Sequence, residues 1–187
     1  LPDPPPWQVR TTPEVVERAT VDLANRESIA ACVGAARENA RQVREEISSE
    51  MWEEINRLYL LVQKRQPVDS EWTAGTHEFL SATINGVHQI QGVTDATMTH
   101  GEGWHYIELG RYLERASATA SLLDVQFREV PPDAGGLPGV SEFVEWVGLL
   151  KSVCAFEAYC RHYTADVRPQ RIAEFLVLNP EFPRSIH

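Results

Sequence analysis

Cysteine is scarce in this chain. There are three, Cys32, Cys154 and Cys160, and no Cys-x-x-Cys. An odd count without paired spacing excludes a disulfide framework and a zinc–thiolate site, and predicts reduced, buried thiols in a cytoplasmic protein. Long apolar runs are missing as well. None approaches the roughly 20 residues that cross a bilayer, and no signal-peptide pattern is present. Positive charge is in short supply, with 17 Lys and Arg against 27 Asp and Glu and a formal net charge of −10. Nucleic acid and anionic membranes both call for clustered basic surface, so neither is expected as a partner. Strand-like alternation, fixed-period repeats, Gly-rich phosphate loops, Rossmann glycines and a Gly-x-Ser-x-Gly elbow are all absent.

What remains is a globular composition, 43% hydrophobic and 24% charged over 187 residues, which suits a single domain with a sizeable core. Prolines punctuate it. Residues 1–11 read as an extended Pro-rich leader, and the opening Leu-Pro-Asp-Pro-Pro-Pro-Trp without an initiator Met reads as an internal boundary of a longer protein. Thr12-Pro13-Glu14 is a helix start, with a short helix expected to about Asn25. From Ser28 to Arg65 apolar residues recur at spacings of three and four: Ile29, Val33, Ala36, Ala40, Val43, Ile47, Met51, Ile55, Leu58 and Val62. That stripe predicts one long helix of roughly 55 Å, kinked at most near the Ser48-Ser49 pair. Pro67 ends it. Further helices are expected over His77–Met98, Trp104–Phe127, Val140–His162 and Arg168–Leu178, with a Pro- and Gly-rich loop at Pro131–Gly139. The fold class is all-α, an antiparallel helical bundle with one long helix.

Helix Trp104–Phe127 carries charge where a central helix should be apolar. Tyr106, Leu109, Leu113, Ala116, Ala120, Leu123 and Phe127 form one stripe, and Ile107, Ala118 and Val125 lie roughly opposite. Arg111 and Glu114 point toward that second side, flanked by Glu108 and Arg115. Buried charges have to be paired, because an isolated one costs several kcal/mol. The long helix offers matching groups: Arg37, Glu38, Arg41, Arg44 and Glu45, followed by Glu50 and a band of Trp52, Asn56 and Tyr59. The candidate network is therefore Arg37, Glu38, Arg41, Glu50, Asn56, Glu102, Glu108, Arg111, Glu114 and Arg115. It has two readings: a site for an anionic ligand, since arginine forks suit carboxylate or phosphate, or a structural set of ion pairs fixing helix register. Glu102 and His105 form one Glu-x-x-His pair, but a di-iron bundle needs two such pairs and two more glutamates, so no metal and no cofactor is expected. Cys154 falls mid-helix on an apolar stripe, a place for a buried thiol and not a nucleophile.

The stretches Ala36–Arg41 (ARENAR), Ser48–Leu60 (SSEMWEEINRLYL), Thr97–Ala116 (TMTHGEGWHYIELGRYLERA) and Glu174–Ile186 (EFLVLNPEFPRSI) resemble the alpha-E domain family, a bacterial helical family of uncharacterised function named for a Glu-Arg motif. The resemblance covers nearly the whole chain and puts that motif on Glu114 and Arg115. It implies a longer domain that begins with another Glu-Arg helix and extends past the Arg-Ser-Ile segment, of which this chain is the C-terminal two-thirds or so. It also implies a setting beside ATP-grasp-like and transglutaminase-like proteins in peptide synthesis or modification. Three functions follow as expectations. The first is a non-catalytic partner of an ATP-grasp-like protein, with no ATP hydrolysis or peptide-bond chemistry of its own. The second is a ligand-binding protein or enzyme using the Arg/Glu network. The third is a homo-oligomerising module.

Overall fold

A computed structural model of the chain describes residues 12–64, 72–128, 139–164 and 166–187. The Pro-rich leader, the loop after Pro67 and most of the Pro131–Gly139 loop lie outside them. Among the described residues there are eight α-helices and no strand: α1 (Thr12–Thr20), α2 (Ile29–Gln42), α3 (Ser49–Gln63), α4 (Trp72–Thr97), α5 (Glu102–Phe127), α6 (Val140–Ser152), α7 (Phe156–Tyr163) and α8 (Pro169–Leu178). The all-α expectation holds.

The single long helix does not. The chain leaves helical geometry at Val43 (φ −110°, ψ 32°) and re-enters after Ser48, which is extended at φ −67°, ψ 159°. Ser48 Oγ accepts the Met51 N–H at 3.0 Å, and Ser28 Oγ caps α2 in the same way from Ala31 at 3.2 Å. Each such cap stabilises its helix by about 1 kcal/mol. Hydrophobic spacing could not reveal the turn, because Ile47 continues the period while being buried within the turn itself, and Val43 is exposed. Arg44 closes the turn by donating to the Ile47 carbonyl at 3.3 Å.

The expected Val140–His162 helix is also broken. Cys154 sits in left-handed conformation at φ 55°. The Ala155 N–H reaches back to the Leu150 carbonyl at 2.7 Å and the Cys154 N–H to Lys151 at 3.0 Å, the double closure that ends helices, normally with glycine at the left-handed position. Cys154 is consequently exposed, as is Cys32, while Cys160 is half-buried. The prediction of buried thiols is corrected, since the turn swings Cys154 off the apolar stripe. Smaller adjustments concern α1, which stops at Thr20 and not near Asn25, and α8, which starts at Pro169 with extended Arg168 before it.

The chain divides into two compact units, Leu1–Trp104 and His105–His187. In the first, α3 packs against both α2 and α4. Ala30, Leu58, Val62 and Phe79 form its core, with Ile29, Val33, Leu61, Leu80 and Ile90 packed around them. Ser48 Oγ and Thr97 Oγ1 are 2.6 Å apart, which ties the start of α3 to the end of α4 and makes the pair antiparallel. Gly86 lets α4 approach Leu58: a Cβ there would lie 2.9 Å from Leu58 Cδ1.

The second unit has the denser core. Leu150, Ala155, Tyr159, Ile172 and Leu176 are fully enclosed, with Leu123, Trp146, Leu149, Val153, Val167 and Phe175 around them. Tyr159 donates its hydroxyl to the Asp166 carbonyl at 2.7 Å, so the ring is buried without stranding its polar tip. Burial, reinforced by the Asp166 charge, raises the Tyr159 pKa. Asp166 also binds Arg168 (2.9 Å) and Arg171 (2.7 Å), fixing the approach to α8. The C-terminal segment returns along α8 through Ile186 N–H to Leu176 and His187 N–H to Val177, and Thr119 of α5 holds the Arg184 carbonyl at 3.0 Å.

Candidate functional site

The candidate residues fall into separate clusters. In the first unit, Arg37 on α2 faces α3. Its Nε donates to Asn56 Oδ1 at 2.7 Å, and Asn56 Nδ2 is anchored on the Trp52 carbonyl at 2.9 Å. The Arg37 guanidinium lies 4.6 Å from the Tyr59 ring centroid and 5.7 Å from that of Trp52; Arg44 is also 5.7 Å from Trp52. The helix reversal brings these groups together: a continuous helix would have carried residue 37 and residue 56 far apart along one axis. Arg37 is thus a half-buried cation held by an amide and two aromatic faces, with no ion pair among the described residues. Trp52 and Tyr59 belong to this cluster as fully as the charged candidates do.

Glu38 and Arg41 satisfy each other one helical turn apart, with hydrogen bonds of 2.9 and 2.7 Å. Gln42 adds a third contact at 3.3 Å. These contacts, led by Arg41, hold the Glu38 carboxyl down at about 2. Both side chains are open to solvent, so the pair is a surface feature of small stabilising value. Glu50 and Glu102 are exposed acids in the first turns of α3 and α5, placed at positive helix ends.

On α5 the second unit presents an inverted pattern. Glu108 is buried and pairs with Arg111, whose side chain keeps 21% of its surface. Arg115 is half-buried on the same face, and Thr119 is buried there as well. The pair is incompletely satisfied: Glu108 Oε1 and Arg111 Nε are buried without a hydrogen-bond partner among the described residues. Glu114, in contrast, is exposed, and neither it nor Arg115 enters an ion pair among the described residues. Arg115 or Glu114 was expected to be buried in a pair with an opposite charge. The buried pair lies instead at Glu108–Arg111, because a residue at position 114 is rotated by about 120° from position 108 and leaves the inward face.

The expected apolar stripe of α5 divides along its length. Leu123 is buried and Phe127 packs edge-on against Trp146 of α6 at 5.1 Å. Tyr106, Leu109 and Leu113, the other half, are 65%, 53% and 63% exposed. Tyr112 is exposed beside them.

The clusters position charge without forming a nucleophile–base pair among the residues named. His100 stacks on Trp104 at 4.3 Å, while Glu102 and His105 are exposed. Among the described residues no group of three or more His, Cys, Asp or Glu side chains could hold a metal ion, and no helix is long and apolar enough to cross a membrane.

One feature escaped the sequence reading. Glu17-Arg18 on α1 is a second Glu-Arg dipeptide, in the context Val-Glu-Arg-Ala-Thr beside Leu-Glu-Arg-Ala-Ser at 113–117. Both residues are half-buried, and Asn25 Nδ2 donates to the Arg18 carbonyl at 2.9 Å. The five-residue likeness was the signal that could have found it.

A family model described as a predicted alpha-helical domain with a conserved ER motif matches residues 6–187. That extent is essentially the whole chain and takes in α1, wider than the C-terminal two-thirds or so expected from the motifs. No curated protein and no solved structure matches.

Proposed function

We propose that this chain, which belongs to the Alpha-E family, is a non-catalytic helical partner of an ATP-grasp-like protein in peptide synthesis or modification. The observation that carries the reading is the open half of the α5 stripe. Tyr106, Leu109 and Leu113 are spaced to bury together, yet all three stand more than half exposed. Clustered apolar and aromatic side chains of this kind are what protein interfaces bury at their centres. The charged residues do not compete for the role. Glu38 and Arg41 neutralise each other at the surface, and Glu108 and Arg111 do so below it. The choice of an ATP-grasp-like partner comes from the resemblance in sequence and not from the geometry of α5.

The alternative, a ligand site built on the Arg/Glu network, retains one supporting observation: Arg37 is ordered by Asn56 and Tyr59 and makes no ion pair among the described residues. Co-expression of the full-length protein with a neighbouring ATP-grasp-like protein separates the two. Stable co-purification, with ATP turnover that depends on the helical protein, is the expected outcome. Turnover of a carboxylate-bearing substrate by the helical protein alone, without association, overturns the partner reading.

A further inference from the structure

The C-terminal motif of the second unit forms a solvent-open cavity of about 260 Å³ between α7 and the segment that follows α8. Its apolar side is made by Ala158, by Phe175, which is buried, and by Phe182, with the two phenylalanine centroids 5.1 Å apart and their planes inclined by 37°. Its polar side carries Arg161, His162, Asn179 and Glu181.

The state of these polar groups is informative. Two other arginines beside this core, Arg168 and Arg171, are both engaged by Asp166. Arg161 and Glu181 line the same small space with opposite charges, yet make no ion pair with each other or with any other described residue. Local bonding holds Asn179 in place: its Oδ1 accepts the Glu181 N–H at 2.9 Å, and its backbone carbonyl accepts the Ser185 hydroxyl. That leaves the Nδ2 hydrogens of Asn179 free to donate. His162 lies beside the Phe175 ring, with centroids 6.1 Å apart and planes inclined by 50°.

A cation, a separate anion, an amide donor and an aromatic floor together describe the inverse of a particular kind of molecule. We infer that this cavity binds a small zwitterion with an aromatic side chain, the chemistry of a free aromatic α-amino acid. The carboxylate meets the Arg161 guanidinium, with His162 and Asn179 available as further donors. The ammonium meets Glu181, and the ring lies on Phe175 and Phe182. A ligand bearing only one charge leaves either Arg161 or Glu181 without a partner, which gives the cavity a basis for discrimination. The inference is independent of the partner proposed for α5.

The test is calorimetric titration of the intact chain with phenylalanine, 3-phenylpropionate, 2-phenylethylamine and alanine. These probes keep both charges and the ring, lose the ammonium, lose the carboxylate, and lose the ring. Phenylalanine is expected to bind with a Kd on the order of 1 mM or tighter, and each of the other three at least about 10-fold more weakly. Arg161→Ala and Glu181→Gln, both at exposed positions that leave the core intact, are each expected to weaken phenylalanine about 10-fold. Circular dichroism checks that both variants keep the parent fold. No heat or shift at about 10 mM phenylalanine overturns the inference. So does equal affinity for phenylalanine and 3-phenylpropionate, or an affinity indifferent to both substitutions.

Discussion

In the first unit, the core cluster of Ala30, Leu58, Val62 and Phe79 is drawn from three helices, and its candidate charges stay at or near the surface with neighbours that satisfy them. In the second, ten buried residues surround Tyr159, and the buried Glu108–Arg111 pair is left with two polar atoms unpartnered among the described residues. The first unit gains definition from caps and close helix approach, at Ser28, Ser48 and Gly86. The second gains it from enclosed volume. The second also contains the helix that breaks the ordinary rule, α5, with Glu108 inward and Leu113 outward. A helix that buries its charges while exposing leucines is not patterned for its own core alone.

Truncations in the two cores give the largest expected effects. Leu150 is fully enclosed in the larger core, and Leu58 is 5% exposed in the smaller one. Leu150→Ala should cost toward the top of the ~2–5 kcal/mol range for such changes, and Leu58→Ala toward the bottom. Urea denaturation of both variants measures this, and a reversed order breaks the contrast between the cores.

Next in size is the ion pair. Arg111→Met strands Glu108 in a buried place. Full enclosure would make that loss about 3–5 kcal/mol; with Arg111 partly solvated, about 2–3 kcal/mol is expected. Arg115→Met should cost under about 1 kcal/mol, and Glu108→Met combined with Arg111→Met should recover most of the loss. Equal losses for Arg111→Met and Arg115→Met would restore the buried role to Arg115.

Cys154→Gly is smaller and opposite in sign. Relief of the left-handed strain at φ 55° exceeds the added freedom of the unfolded chain, so thermal denaturation should show a gain of about 0.5–1 kcal/mol. A loss would mean that the Cys154 side chain stabilises its turn.

The smallest effect belongs to the first unit's surface pair. Arg41→Ala should return the Glu38 carboxyl from about 2 toward the ordinary carboxylate range, followed by carboxyl-carbon NMR titration. Because the folded value is depressed, the associated stability is present above the unfolded carboxylate pKa and lost as pH falls through about 2. An unmoved titration would show that the bidentate contact is not maintained in solution.

Helix content was readable because periodicity and Thr12-Pro13 are local signals. The reversal at Val43–Ser48 was not, since Ile47 keeps the period through the turn, although the Ser48-Ser49 pair marked its position. Cys154 at a left-handed helix end was unreadable for a related reason: the signal there is normally glycine. For the site, the sequence identified Arg37 with Asn56, Glu38 with Arg41, and Glu108 with Arg111 as members of a polar set. It could not say that they form separate clusters. Nor could it tell which side of α5 faces inward, because both sides are apolar and pattern alone leaves the rotation undecided.

The open half of α5 carries the proposed partner role. The direct measurement is the affinity of the protein for the proposed ATP-grasp-like partner, compared with that of the Leu109→Glu and Leu113→Glu variant. Both positions are more than half exposed, so the variant should keep the parent's circular dichroism and denaturation midpoint. The predicted result is a Kd raised at least about 100-fold, as when two central interface residues are lost. An unchanged affinity, with the fold intact, would contradict the account.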